Sequence, residues 1–173
     1  MELGLDEFVK EELARHDWTA LDCGCGDSAE HVPLLFEAIL TAGTEQELRG
    51  YGLGGHVECD GDLFACTPAA VGVIMAALTG EPSALARDTL LFTLWRIVTA
   101  EFAPAEITQR VGSAVTEGLW PLVRIGLTGR PHVADTVATV LRLHDVDGER
   151  AEHYRRLLEE RAASKGRRWK SRA

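Results

Sequence analysis

The residues most capable of chemistry in this sequence are four cysteines and two histidines between positions 23 and 66. They are Cys23, Cys25, His31, His56, Cys59 and Cys66. Thiolates and imidazoles are the usual ligands of tetrahedral zinc sites, so these residue types could hold a metal. Their spacings, Cys-x-Cys and Cys-x6-Cys, differ from the Cys-x2-4-Cys knuckles that usually present two thiolates to one ion.

This spacing leads us to predict no metal and no cofactor, and to interpret the cysteines as small, buried hydrophobic residues. A metal site and a redox or nucleophilic role are the alternatives. The sequence also identifies no catalytic residues, because no two histidines have a recognisable catalytic spacing and no serine lies in a Gly-x-Ser-x-Gly motif. We therefore favour a protein that is not an enzyme.

Three acidic residues follow a glycine-rich segment at positions 50–55. Glu58, Asp60 and Asp62 alternate along the chain as in a site for a hard cation, but the other ligands of a calcium loop are missing. Because loops on a helical scaffold often carry recognition residues, we interpret this stretch as an irregular binding loop. The sequence predicts a partner-binding edge made of Tyr51, Glu58, Asp60, Asp62 and Phe64.

The elements that must position these residues are helices. Hydrophobic residues make up 46% of the sequence and aromatic residues only 6%, without the alternating β-branched runs of strands. Helix breakers recur at intervals of helical length, for example at Gly80-Glu81-Pro82 and Gly129-Arg130-Pro131. Residues 68–79 are apolar nearly all round, which predicts a central helix covered on both sides. We therefore expect a single all-α domain.

Two further expectations concern individual helices. Leu91, Leu94, Trp95 and Val98 recur at three- and four-residue steps, so we expect Trp95 to lie on a buried helix face. Pro121 should kink or break the helix that precedes it, near Trp120.

The charge of the chain is unevenly distributed. The net charge is −9, yet the last nine residues contain five Lys or Arg and no acid. We predict a helical domain over residues 1–164 and a basic, disordered tail over residues 165–173. An acidic body repels phosphate backbones, so nucleic acid is an unlikely partner.

No apolar stretch reaches the roughly 18 residues that span a bilayer. The first residues are also acidic where a signal peptide is basic. We therefore expect a cytoplasmic protein.

Two segments resemble a bacterial family of HEAT-like, armadillo-type helical-repeat proteins. Residues 18–35 have the sequence WTALDCGCGDSAEHVPLL, and residues 59–71 have the sequence CDGDLFACTPAAV. The first is similar to the family's opening, with Gly-x-Ala and then Val-Pro-x-Leu, and the second to its later signature before an Ala/Val-rich helix. The resemblance covers residues 18–98 and departs from the pattern where Cys23 and Cys59 replace imidazoles and Cys25 replaces an aromatic residue.

The resemblance implies a short α-solenoid of helical hairpins, and periodicity alone leaves an irregular helical bundle as the alternative. It also implies a function in binding another protein, as an immunity-type inhibitor or as an accessory subunit of an enzyme, in a hetero-oligomer. A small-molecule-binding protein or enzyme with a pocket between helices is the first alternative. A nucleic-acid-binding protein of the same type is the second.

Overall fold

A computed structural model describes residues 5–143 and 148–170, with side chains through residue 164. The described residues form eight α-helices, two short 3-10 helices and one two-stranded antiparallel sheet. The α-helices are α1 Glu7–Ala14, α2 Val32–Thr41, α3 Thr67–Thr79, α4 Ala84–Val98, α5 Ala105–Glu117, α6 Leu119–Thr128, α7 Pro131–Leu143 and α8 Glu149–Lys170. The 3-10 helices are Trp18–Ala20 and Ala29–His31, and the strands are β1 Glu58–Cys59 and β2 Asp62–Leu63. The predicted all-α class is confirmed, and the helix packing is compatible with a solenoid or a bundle.

Helix α3 is the centre of the molecule, as the sequence predicts. Every residue of α3 from Thr67 to Leu78 except Gly72 is buried, and α1, α4, α5 and α6 pack around it. Gly72 permits the close approach of α1, since a Cβ at this position would lie 2.6 Å from Oε1 of Glu12. A helix that is apolar all round is stable only when its neighbours cover every side, which explains why the apolar run of 68–79 became the core.

A second layer is formed by α7, which packs against α4, α6 and α8. The chain breaks between α5 and α6 at Gly118, two residues from the predicted position, and Pro121 lies in the first turn of α6, where its missing N–H is tolerated. Helix α8 is tied to the preceding layer by Arg161, whose guanidinium donates to the carbonyl oxygen of Gly129.

The predicted burial of Trp95 is wrong. The buried face of α4 is formed by Leu90, Leu94 and Ile97, each no more than 1% exposed, whereas Trp95 is 39% exposed. Trp95 lies about 100° around the helix from Leu94, so it falls at the edge of the apolar stripe. There its ring stacks on that of Phe92, with centroids 6.1 Å apart.

One prediction extends to a part of the chain outside this description. Helix α8 is described to Lys170, but its side chains after residue 164 and residues 171–173 lie outside the described structure. The basic tail over 165–173 therefore stays a prediction. Among the described residues, no helix is both long enough and apolar enough to cross a bilayer.

Candidate functional site

The cysteines and histidines of the sequence meet where two loops are hydrogen-bonded to each other. The first loop turns tightly at residues 23–27, because the Cys23 amide donates to the Asp27 carbonyl oxygen at 3.0 Å. The second loop approaches it through the Gly24 amide, which donates to the His56 carbonyl oxygen at 2.8 Å. Only glycine fits at position 24, since a Cβ there would lie 2.6 Å from the ring of Phe64.

Thr67, the first residue of α3, holds the second loop in place. The hydroxyl of Thr67 donates to the Val57 carbonyl oxygen at 2.6 Å and accepts from the Phe64 amide at 2.9 Å. Leu53 and Val57, which precede and follow His56 in the sequence, are both buried. The His56 amide donates to the Leu53 carbonyl oxygen at 3.1 Å. Buried neighbours and backbone hydrogen bonds thus fix the position of the imidazole.

Four of the six side chains that the sequence singled out converge at this junction. Cys23, Cys25, His31 and His56 each offer a sulfur or nitrogen atom, and these four atoms all lie within 4.8 Å of one another. The two sulfurs are 3.3 Å apart, and Nε2 of His31 is 2.8 Å from Nδ1 of His56. The Cys23 sulfur lies 3.6 Å and 3.5 Å from those same nitrogens.

The cluster runs from the interior to the surface. Cys23 is buried, the two imidazoles are half-buried and Cys25 is exposed. Burial raises the pKa of the Cys23 thiol. Burial also lowers the pKa of His56, with a further contribution from His31. Both shifts favour the neutral forms of Cys23 and His56.

The other two cysteines do not join the cluster. Cys66 is fully buried, and burial raises the pKa of its thiol to about 12, so it remains protonated as a small core residue. Cys59 is half-buried in β1. The interpretation of the cysteines as packing residues fits the burial of Cys66, whereas Cys23 and Cys25 point at imidazoles.

The predicted partner-binding residues fall into two groups. Tyr51, Asp60 and Asp62 are exposed, and Phe64 is half-buried against Gly24. Glu58 is only 3% exposed, which differs from the expectation of a carboxylate facing a partner.

Glu58 instead fixes the β-hairpin to α4. Its Oε2 lies 2.7 Å from Nε of Arg96 and its Oε1 accepts from Nη2 of Arg96 at 3.0 Å. Oε1 also accepts from the Gly61 amide at 3.1 Å, across the turn of the hairpin. Its role is therefore structural, and it positions the exposed Asp60 and Asp62.

A groove between α4 and α7 is a second candidate site, and the sequence pattern missed it. Its volume is about 350 Å³. It is lined by Asp88, Leu91, Phe92, Trp95, His132, Val133, Asp135 and Thr136. Phe92 is 58% exposed, and with Trp95 it forms a stacked aromatic wall beside the carboxylates of Asp88 and Asp135. The sequence feature that could have revealed the groove is Phe92, an apolar residue on the otherwise polar side of α4.

Comparison with known proteins gives no relative for this chain. No protein-family model matches it, and neither a curated protein nor a solved structure is significantly similar.

Proposed function

We propose that this chain is a non-catalytic protein-binding module that takes a basic, partly apolar segment of another protein into the groove between α4 and α7. The observation that carries this proposal is the exposed stack of Phe92 and Trp95 in a groove that Asp88 and Asp135 also line. Exposed aromatic side chains of limited flexibility are the residue types that dominate the energy of protein interfaces. The resemblance of residues 18–98 in sequence to HEAT-like repeat proteins favours such a role.

The charge around the groove supports a basic partner. Asp88 and Asp135 are exposed at the groove, and in the described residues Asp135 forms no ion pair. Phe92 and Arg96 are one turn apart on α4, so the residue that holds the hairpin lies on the same side of α4 as Phe92. The hairpin adds the exposed carboxylates of Asp60 and Asp62 to the acidic surface of the chain. With a net charge of −9, the chain attracts cationic segments at long range.

A module of this kind suits two biological settings. It could act as an immunity-type protein that covers a basic surface of a toxin, or as an accessory subunit that docks on an enzyme. In both settings Tyr51, Asp60 and Asp62 would contribute the outer edge of the contact, and Glu58 and Phe64 would support it from within.

Short-peptide display on the immobilised chain tests the proposal. We expect selected peptides to combine Lys or Arg with apolar residues. The double substitution Phe92→Ala with Trp95→Ala should weaken them by about ten- to a hundredfold, as expected for interface hot spots. Leu34→Ala is the matched control, since Leu34 is 63% exposed on α2 and outside the groove. Fluorescence polarisation of a labelled peptide measures the affinities.

The outcomes separate the candidate functions. Equal binding to wild type and to the double variant would refute the groove as the contact surface. A groove that selects no peptide but binds small aromatic compounds would favour the small-molecule alternative. Affinity purification from the native host, with wild type, Leu34→Ala and the double variant as parallel baits, then identifies the partner as the protein that only the double variant fails to retain.

A further inference from the structure

We propose that Cys23, Cys25, His31 and His56 bind one zinc ion in a tetrahedral Cys2His2 site. Their donor atoms converge, and all four lie within 4.8 Å of one another. The inference concerns a place separate from the groove and does not depend on the proposed function.

Five of the six distances between the donor atoms lie within about half an ångström of the edges of a zinc tetrahedron, and the sixth, between Cys25 and His56, is at most 4.8 Å. With bonds of ~2.3 Å to sulfur and ~2.05 Å to nitrogen, those edges are ~3.8 Å for S···S, ~3.3 Å for N···N and ~3.6 Å for S···N. The observed S···S distance is 3.3 Å and the observed N···N distance is 2.8 Å. The observed S···N distances are 3.6 Å and 3.5 Å to Cys23 and 3.9 Å from Cys25 to His31. Opening the S···S and N···N pairs by about half an ångström would bring these two edges to the lengths of the polyhedron.

The donor set selects the class of metal. Two thiolates and two imidazoles are soft and borderline ligands, which favour Zn²⁺ over Ca²⁺ and Mg²⁺, the ions that prefer oxygen. Four protein ligands fill a tetrahedral shell and leave no open position for a water or a substrate. The site is therefore structural, and the carboxylates of the nearby hairpin are not needed as ligands.

The chemistry of binding balances without a redox step. The two cysteine thiols lose their protons, the two imidazoles bind through neutral nitrogens, and the ion exchanges its water ligands for four protein ligands. Two thiolates cancel the two positive charges of the ion, so a neutral unit forms at the edge of the core. Because two protons are released, binding should tighten as the pH rises through the neutral range.

The position of the site gives the ion a clear structural task. His31 ends the second 3-10 helix directly before α2, and His56 lies between the glycine-rich segment and β1. One ion would therefore cross-link the loop that leads into α2 with the loop that leads into the hairpin and α3. The backbone joins these loops by a few hydrogen bonds, including that from Gly24 to His56.

Zinc content and cobalt spectroscopy test the proposal on the full chain without a histidine tag. We expect one equivalent of zinc by mass spectrometry of the metal after purification under reducing conditions. Cobalt substitution should give the intense visible bands of a tetrahedral centre and the near-ultraviolet charge-transfer band of cobalt-bound thiolate. A cobalt spectrum of an octahedral ion, or no zinc retained after reconstitution with zinc chloride, would overturn the proposal.

Matched substitutions identify the ligands. Cys25→Ser changes an exposed ligand and should lower zinc affinity by tenfold or more in competition with a chromogenic chelator. His31→Asn should have a comparable effect. Cys59→Ser and His132→Asn alter a thiol and an imidazole outside the cluster and should keep one full equivalent. If Cys59→Ser lost zinc as Cys25→Ser does, or if Cys25→Ser and His31→Asn both retained wild-type affinity, the assignment of the four ligands would be wrong.

Discussion

At the scale of single residues, the burial of Glu58 and of Trp95 differs from what the neighbouring sequence suggests. Glu58 lies in an acidic run that looks solvent-exposed, yet it is buried against Arg96. Trp95 lies amid leucines that look like a buried face, yet it is exposed. In both cases adjacent residues of a helix or strand face different sides, one towards the core and one towards solvent. Sequence spacing alone does not predict which of two neighbours is the buried one.

Arg96→Ala should destabilise the protein. It leaves the buried carboxylate of Glu58 without its charge partner, and a buried unpaired charge is expensive. Because Arg96 is itself about one-third exposed, we expect a loss of about 1–3 kcal/mol, below the full value for a buried pair. Urea unfolding measures it. Arg87→Ala is the control, since Arg87 pairs with the exposed Asp88 and should change stability by less than about 0.5 kcal/mol.

Trp95→Ala and Leu94→Ala should differ strongly although the residues are adjacent. Leu94 is fully buried, so its truncation leaves a cavity and should cost about 2–5 kcal/mol. Trp95 is 39% exposed and its ring stacks on Phe92, so its truncation removes a partly solvated side chain and should cost less, about 1–2 kcal/mol. Chemical unfolding of the two variants compares them, and a larger loss for Trp95→Ala would show that its ring packs into the core.

At the scale of elements, the sequence predicts the helices well and the loops poorly. The apolar run at 68–79 and the break before Pro121 follow from local rules of periodicity and backbone geometry, and the structure has both. The sequence names the residues of the cysteine and histidine cluster, but its spacing argument rejected a metal site, because His31 and His56 are 25 residues apart and meet only through loop contacts such as that of Gly24. The partial signal was Cys23-x-Cys25 with His31 six residues beyond it.

Removing the metal should loosen the two loops and spare the second helical layer. If zinc cross-links the loops, a chelator should raise amide hydrogen exchange at residues 22–31 and 53–58 by about tenfold or more, since local opening then breaks fewer contacts. Helices α7 and α8 pack together far from the cluster and should exchange unchanged. Mass-spectrometric exchange on Cys25→Ser provides the control, because the chelator should cause no further change in a variant that has already lost the metal.

At the scale of the whole molecule, the acidic chain carries both the cysteine and histidine cluster and the groove. The cluster joins the loops around α2 and α3, and the groove opens between α4 and α7. The ion pair of Glu58 with Arg96 connects the hairpin beside the cluster to the helix that bears the groove. The net charge of −9 can be read from the sequence, but the location of the exposed aromatic pair depends on how α4 and α7 pack.

Reversing charge at the groove should slow association with a basic partner more than it speeds dissociation. In Asp88→Lys with Asp135→Lys, repulsion acts during diffusional encounter, whereas the stack of Phe92 and Trp95 that holds the bound segment is unchanged. We expect the association rate constant of a display-selected basic peptide to fall by about tenfold or more at low salt, and the difference to shrink as added salt screens the charges. Surface plasmon resonance across a range of salt concentrations measures both rate constants.

Glu106→Lys with Glu117→Lys makes the same change of net charge on α5, outside the groove, and should have a much smaller effect. An equal effect of both pairs would mean that net charge alone, and not the groove, directs the partner.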